Sequence, residues 1–275
     1  MKQNKVIMQI AGILVLITVA YWSTLKWLYE RYVGADSYYS HGFLVPLVTG
    51  YFIWAERETL KKIDIKSNVW GLVLIITSLL IHVLSMLAEV YFVSGYSLFL
   101  LVFGISLYVY GREITKKILF PLSFLFFMFP LPLVAINAIS FPMKMIATKA
   151  GVFVMQSFMH LPLRNEGFEI YFPKASLVVG NPCSGLRSLI SMLALSSIFA
   201  YMMKDKMWKR VSLVAVSVPI ALFSNICRVV MLSVAVFIYG SKMAQGFFHD
   251  FTGYVVFVIE FGLLWFIWRK MQCKE

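Results

Sequence analysis

Three residues in this sequence join reactive chemistry to unusual neighbours: Cys183, Arg228 and His249. Cys183 lies in Gly180-Asn181-Pro182-Cys183-Ser184-Gly185-Leu186-Arg187-Ser188, between a polar, strand-like segment and a long apolar run that begins at Leu186. A thiol placed where a loop becomes a helix is close to the free N–H groups and positive dipole of the helix start. Both favour a thiolate and can bind an oxyanion. Gly180, Pro182 and Gly185 make a stiff, tightly turned frame, unlike the site of a cysteine that only packs. Arg228 stands in an apolar run, where a charge is costly and needs a partner or a task. It stays protonated and so is no base, but it can hold a carbonyl oxygen as that oxygen becomes negative. The plainer reading is an arginine snorkelling to the headgroups. Asn225, three residues earlier on the same helix face, is placed to orient the guanidinium. His249 suits general acid–base work because imidazole titrates near neutrality. Its plainer reading is a helix start capped by the adjacent Asp250.

The elements that must hold these residues are membrane helices. Of the 275 residues, 60% are hydrophobic and 14% charged, with a mean hydropathy of +0.81. That excludes a soluble globular domain. Repeated apolar runs of about 20 residues predict an all-α polytopic membrane protein of about eight transmembrane helices, in one domain over 1–275. The spans are expected at Val6–Leu28, Gly42–Ala55, Val69–Ala88, Val90–Tyr110, Ile118–Ile139, Ser184–Met203, a run from Val211 past Asn225 and Arg228, and Asp250–Trp268. The first apolar run is long and lacks a small-x-small cleavage site, so it reads as a retained span rather than a signal peptide. Pro130 and Pro132 are expected to bend the end of the fifth span, and Pro219 to kink the seventh. Ser140–His160 carries Lys144 and Lys149 and reads as an interfacial helix. Glu166–Phe172 and Ser176–Val179, separated by Pro173-Lys174-Ala175, read as a small hairpin on the outer membrane surface.

The net charge of +12 is a matter of orientation, not of nucleic-acid binding. With the N-terminus in the cytoplasm, the basic residues gather at Lys2 and Lys5, in 56–68, 111–117 and 204–210, and at Arg269, Lys270 and Lys274. Eight spans return the C-terminus to the cytoplasm. Cys183, Arg228 and His249 then all fall near the outer face. The three cysteines show no CxxC spacing and no histidine cluster, so neither a disulfide framework nor a metal site is expected, and no cofactor motif is evident. His82 reads as hydrogen-bonded packing, His160 as interfacial, and Cys227 as structural. Glu260, deep in the last span, is either paired or protonated. Tyr39-Ser40-His41-Gly42, at the outer start of the second span, makes His41 a supporting candidate.

Asn181-Pro182-Cys183-Ser184-Gly185-Leu186-Arg187-Ser188, then Ser224-Asn225-Ile226-Cys227-Arg228, then Phe248-His249-Asp250-Phe251-Thr252-Gly253-Tyr254-Val255-Val256-Phe257, resemble the exosortase/archaeosortase family. Tyr39-Ser40-His41-Gly42 before an apolar run is similar to its bacterial members. The likeness covers most of the chain, in order. Pro182 departs from the small or acidic residue more usual before the cysteine, and the chain ends eight residues after Ile267 without the extra C-terminal domain some members carry.

The resemblance implies a membrane cysteine protease/transpeptidase of the inner membrane, with Cys183, Arg228 and His249 as catalytic set. Asn225, Ser184, Gly185, His41 and Asp250 are the supporting candidates. Its substrates would be secreted proteins bearing a C-terminal sorting signal of the PEP-CTERM type: a short motif, a membrane helix and a basic tail. The expected chemistry runs through a thioacyl-enzyme resolved by water, an amine or a hydroxyl, without a cofactor and with membrane lipid as surroundings. Two rivals stand beside it. A polytopic transporter or exopolysaccharide/lipid export component predicts broken helices at the bilayer midplane and paired internal repeats. A protease that only hydrolyses differs in its product alone.

Overall fold

A proline pair divides the chain. Pro130 and Pro132 flank the boundary between two compact units, one ending at Leu131 and one starting at Pro132. The computed structural model describes residues 12–34, 37–180, 183–241 and 247–272. For 247, 249 and 250 the description extends to the backbone alone.

In the first unit α1 (Gly12–Ala20) and α2 (Trp22–Val33) meet at a 76° bend. A 3₁₀ turn, Ser40–Phe43, leads into α3 (Leu44–Ala55) and the single turn α4 (Arg57–Leu60). Asn68 caps α5 (Val69–Leu87) by accepting from the Trp70 N–H at 2.9 Å. Then come α6 (Tyr91–Lys117) and α7 (Leu119–Phe124), the latter running into a 3₁₀ turn at Leu125–Met128. The bend at Tyr21 frees a carbonyl, and the sequence supplies a partner for it. His82 Nε2 lies 3.1 Å from the Ala20 oxygen and its Nδ1 2.7 Å from Ser94 Oγ. A carbonyl only accepts, so Nε2 carries the proton and Ser94 donates to Nδ1. Thr24 then donates to Ser94, and the Tyr21 ring stacks on the imidazole at 3.9 Å. His82 is thus hydrogen-bonded packing, as the sequence reading expects.

In the second unit Pro132, in extended conformation, opens α8 (Leu133–Ser157), which runs unbroken through Pro142. This corrects the expected division into a span ending at Ile139 and an interfacial helix after it. The physical reason lies in the lysines. Lys144 places its ammonium 4.9 Å from the centroid of the Phe168 ring, so its charge is met inside the unit and does not force the helix onto the surface.

The expected hairpin is a three-stranded antiparallel sheet: β1 (Arg164–Glu166), β2 (Glu169–Phe172) and β3 (Ala175–Val178). Glu166 pairs with Glu169 and Phe172 with Ala175, so both turns have two residues. Gly167, at φ 61°, supplies the positive φ that a type II′ turn needs at its first position. Three helices complete the unit: α9 (Leu186–Met202), α10 (Met207–Tyr239) and α11 (Phe247–Gln272). The helix α10 carries Pro219 inside its 33 residues and runs to Tyr239. The sheet does not float. Ile170, Phe172, Leu177 and Val179 form one buried core with Ala147 and Met155 of α8 and with Val229, Leu232, Ala235 and Val236 of α10.

The chain is an all-α polytopic membrane protein with one small sheet. Among the described residues five helices are long and apolar enough to cross a membrane: α5, α6, α8, α10 and the Phe251–Gln272 part of α11. Counting the bent α1–α2 pair as one span gives six. The expected eight is not reached on length and composition. Two of the apolar runs form helices of only 12 residues (α3) and 17 residues (α9). A third is split between α7 and the start of α8.

Candidate active site

The sheet delivers the cysteine. After β3, Val179 N–H donates to the Phe168 oxygen at 2.8 Å and Gly180 N–H to the Val178 oxygen at 2.9 Å. The Cys183 N–H then donates to the Gly180 oxygen at 3.1 Å, which ties the residue to the end of the sheet. Cys183 is only 5% exposed and belongs to the same core as the sheet and α10. Asn181 and Pro182 lie outside the described residues.

A helix begins directly behind it. Ser184 is fully buried, and its Oγ accepts from the Leu186 N–H at 3.3 Å, satisfying one of the free donors of the α9 start. Gly185 is the N-cap residue, with φ 75°. Any side chain there has to displace Asn225. A Cβ at Gly185 would lie 2.7 Å from Asn225 Cγ and 2.9 Å from Asn225 Cβ, and the left-handed backbone would itself be strained.

Asn225 explains that closeness. Its side chain is 1% exposed and its Nδ2 donates to the Cys183 carbonyl at 3.1 Å. So α10 holds the cysteine loop through one amide. The sequence reading assigned this asparagine to orienting Arg228; its hydrogen bond goes to the cysteine backbone instead.

Arg228, one turn further along α10, interacts electrostatically with the Cys183 thiol. A Cβ on Gly253 of α11 would lie 3.4 Å from Arg228 Nη2, so the guanidinium rests against that helix where a side chain is missing. Burial pushes the Cys183 thiol up, and the Arg228 charge pulls it back. Burial is the larger influence, and it works against the thiolate that a helix start favours. The reason is that Cys183 precedes the N-cap and is enclosed by core side chains.

His249 and Asp250 are described only in their backbone, which is helical; their side chains lie outside the described residues. Position 249 falls one turn before Gly253 on α11, and 249 and 253 share a helix face. Because α11 already runs at Phe247, position 250 is inside the first turn rather than at the cap. His41 belongs to the first unit. It sits in the 3₁₀ turn with its ring 5.9 Å from that of Tyr39. Burial holds its imidazole below the usual range, with a bond to the Phe127 backbone acting against that.

One feature of this site was noticed in the sequence without its partner. Glu260 is fully buried, and the Ser188 hydroxyl lies 2.6 Å from both of its carboxyl oxygens. Glu260 also interacts electrostatically with Arg228. Nothing in the local sequence links residue 188 to residue 260.

A family model described as transmembrane exosortase (Exosortase_EpsH) matches residues 22–266. No curated protein and no solved structure matches the chain.

Proposed function

Since the chain belongs to the transmembrane exosortase family and so has the general role of a membrane transpeptidase in protein sorting, we propose that Cys183 is its nucleophile, Arg228 its oxyanion partner and His249 its acid–base. One observation carries this reading. Arg228 interacts with the Cys183 thiol while Asn225, three residues before it, holds the Cys183 backbone, so one helix presents cation and thiol together.

The steps follow from the chemistry of the groups. The Cys183 sulfur attacks the scissile carbonyl carbon as its proton passes to His249. The carbonyl oxygen, now negative, is met by Arg228 and by the Ser184 or Gly185 N–H. The tetrahedral centre collapses, the C–N bond breaks, and His249 returns the proton to the leaving amine. A thioester remains on Cys183. Water, an amine or a hydroxyl gives up its proton to His249, attacks that thioester, and the thiol is restored.

The substrate class is a secreted protein with a C-terminal signal of short motif, membrane helix and basic tail, processed at the outer face of the inner membrane. The clustering of basic residues in 56–68 and 204–210 supports cytoplasmic loops there and a cytoplasmic N-terminus. An extended motif can join the sheet by strand addition. β3 is the closed edge. The Ser176 N–H donates to Ser241 Oγ at 3.3 Å, and the Ser241 hydroxyl donates back to the Ser176 oxygen at 2.9 Å. The incoming strand is therefore assigned to β1.

Co-expression with a reporter carrying such a signal, followed by intact-mass analysis, tests the proposal. Wild type is expected to remove the C-terminal helix and Cys183→Ala to leave it whole. The mass of the new C-terminus then distinguishes hydrolysis from transfer. Equal processing by both proteins would dismiss Cys183 as the nucleophile.

A further inference from the structure

A carboxylate with no exposed surface, inside a helix long enough to cross a membrane, is an expensive feature that the mechanism above leaves unused. Glu260 stands seven residues after Gly253 on α11, close to two full turns, so both lie on one face of that helix. Gly253 is where the Arg228 guanidinium rests. The face thus bears a gap that receives the cation and, about 10 Å further along, an acid.

The acid is itself held. The Ser188 hydroxyl, on α9 one turn beyond Ser184, lies 2.6 Å from each carboxyl oxygen. The Ser184 hydroxyl accepts from the first N–H of the helix that follows the cysteine. So α9 ties the cysteine loop at its start and the carboxylate one turn later. Arg228 interacts electrostatically with both Cys183 and Glu260.

We propose that Glu260, fixed by Ser188, is a positioning residue for Arg228: its charge draws the guanidinium against α11 over Gly253 and keeps it at the depth of Cys183. The proposal rests on the Cys183–Arg228 reading and adds to it the group that places the cation. Glu260 touches no reacting atom in this account. Its carboxyl is held by the Ser188 hydroxyl and lies within electrostatic reach of Arg228, an arrangement that gives a half-buried arginine one location instead of a choice between headgroups and protein.

Two measurements on the full-length protein in detergent test this without a substrate. The first is the rate at which iodoacetamide alkylates Cys183, followed on the Cys183 peptide by mass spectrometry. Arg228→Gln is expected to slow it about tenfold, the effect of one pH unit in thiol pKa. In a Glu260→Gln background the same Arg228→Gln change is expected to alter the rate less than about twofold, because the cation is no longer held there. Ser188→Ala is expected to shrink the Arg228→Gln effect partway. An Arg228→Gln effect as large or larger in Glu260→Gln overturns the proposal.

The second measurement is thermal unfolding of the two single variants and the double variant. Glu260→Gln takes the acid from the half-buried Arg228 and Arg228→Gln takes the cation from the buried Glu260, so the double is expected to unfold at least about 3 °C above the sum of the single losses. Additive shifts overturn the proposal even where a single variant folds too poorly for kinetics. If Arg228→Gln leaves alkylation unchanged in the wild-type background, the Cys183–Arg228 reading fails. The thermal cycle still reports whether Glu260 and Arg228 are coupled.

Discussion

Gly185→Ala is the sharpest test of how the cysteine loop is built. The methyl would sit 2.7 Å from Asn225 Cγ and 2.9 Å from Asn225 Cβ, distances that real Cβ atoms essentially never adopt, so Asn225 must move. Moving it releases the 3.1 Å bond to the Cys183 carbonyl and leaves a buried donor and acceptor unmatched, at about 1–3 kcal/mol. The φ of 75° adds about 1–2 kcal/mol for an alanine. Together the change removes roughly 3 kcal/mol, a fall of about 6–12 °C in Tm for a unit of this size. The assay is thermal unfolding in detergent by tryptophan fluorescence, with Asn225→Ala and the double variant alongside. Asn225→Ala already loses the hydrogen bond and clears the space. The double variant is therefore expected to fall only about 1–2 kcal/mol below Asn225→Ala, the left-handed strain alone. Strict additivity, or Gly185→Ala unfolding like wild type, would refute the reasoning.

Other outcomes follow from the same geometry. Burial raises the Cys183 thiol above its ordinary 9.0, so more of it is protonated at any given pH than in a free thiol. Its alkylation rate is expected to climb with pH through a midpoint above 9.0, and a midpoint below that value contradicts the account. Ser241→Ala removes the group that meets both the N–H and the C=O of Ser176. Hydrogen exchange at the Ser176 amide is expected to quicken about tenfold or more, with β2 amides unchanged. His82→Leu leaves the Ala20 carbonyl at the α1–α2 bend without its donor and Ser94 without its acceptor. A loss of about 2 kcal/mol is expected, read as a Tm lower by about 4–8 °C, while an unchanged Tm would show that the bend does not need the imidazole.

Much of this fold could be read from local sequence. Period, composition and turn residues are properties of neighbours, so most of the apolar helices, the turn at Pro173-Lys174 and the loop-to-helix change at Cys183 were visible, whereas the turn at Gly167 was hidden inside what reads as one strand, Glu166–Phe172. What else stayed hidden depends on distant partners. The α1–α2 break at Tyr21 lies inside a continuous apolar run, and the donor for its freed carbonyl is His82, 62 residues away. The lysines at 144 and 149 argued for the membrane surface, because the Phe168 ring that meets Lys144 is not a sequence neighbour. At the site, the identity of Cys183 and Arg228 as candidates was legible from residue type. The role of Asn225 was misread because a helix neighbour at three residues looked nearer than a loop carbonyl. The Ser188–Glu260 pair had no local signal beyond an acid in an apolar helix.

The hydroxyl of Ser241 closing β3 has a further meaning for how a chain could dock. With both turns fixed at two residues, the outward-facing main chain on β1 belongs to Asn165, between the pairs Arg164–Tyr171 and Glu166–Glu169. That is one residue's worth of ladder. Two such bonds supply about 2 kcal/mol, well short of the roughly 4 kcal/mol of even millimolar affinity. A substrate on this edge would therefore be gathered by sharing the bilayer, where its own helix confines it to two dimensions and raises its local concentration. The sheet would then act as a stop that fixes which peptide bond halts opposite the cysteine. Under that division of labour, lengthening the substrate's spacer by one residue shifts the cut by one residue, while changing its flanking side chains alters only the speed.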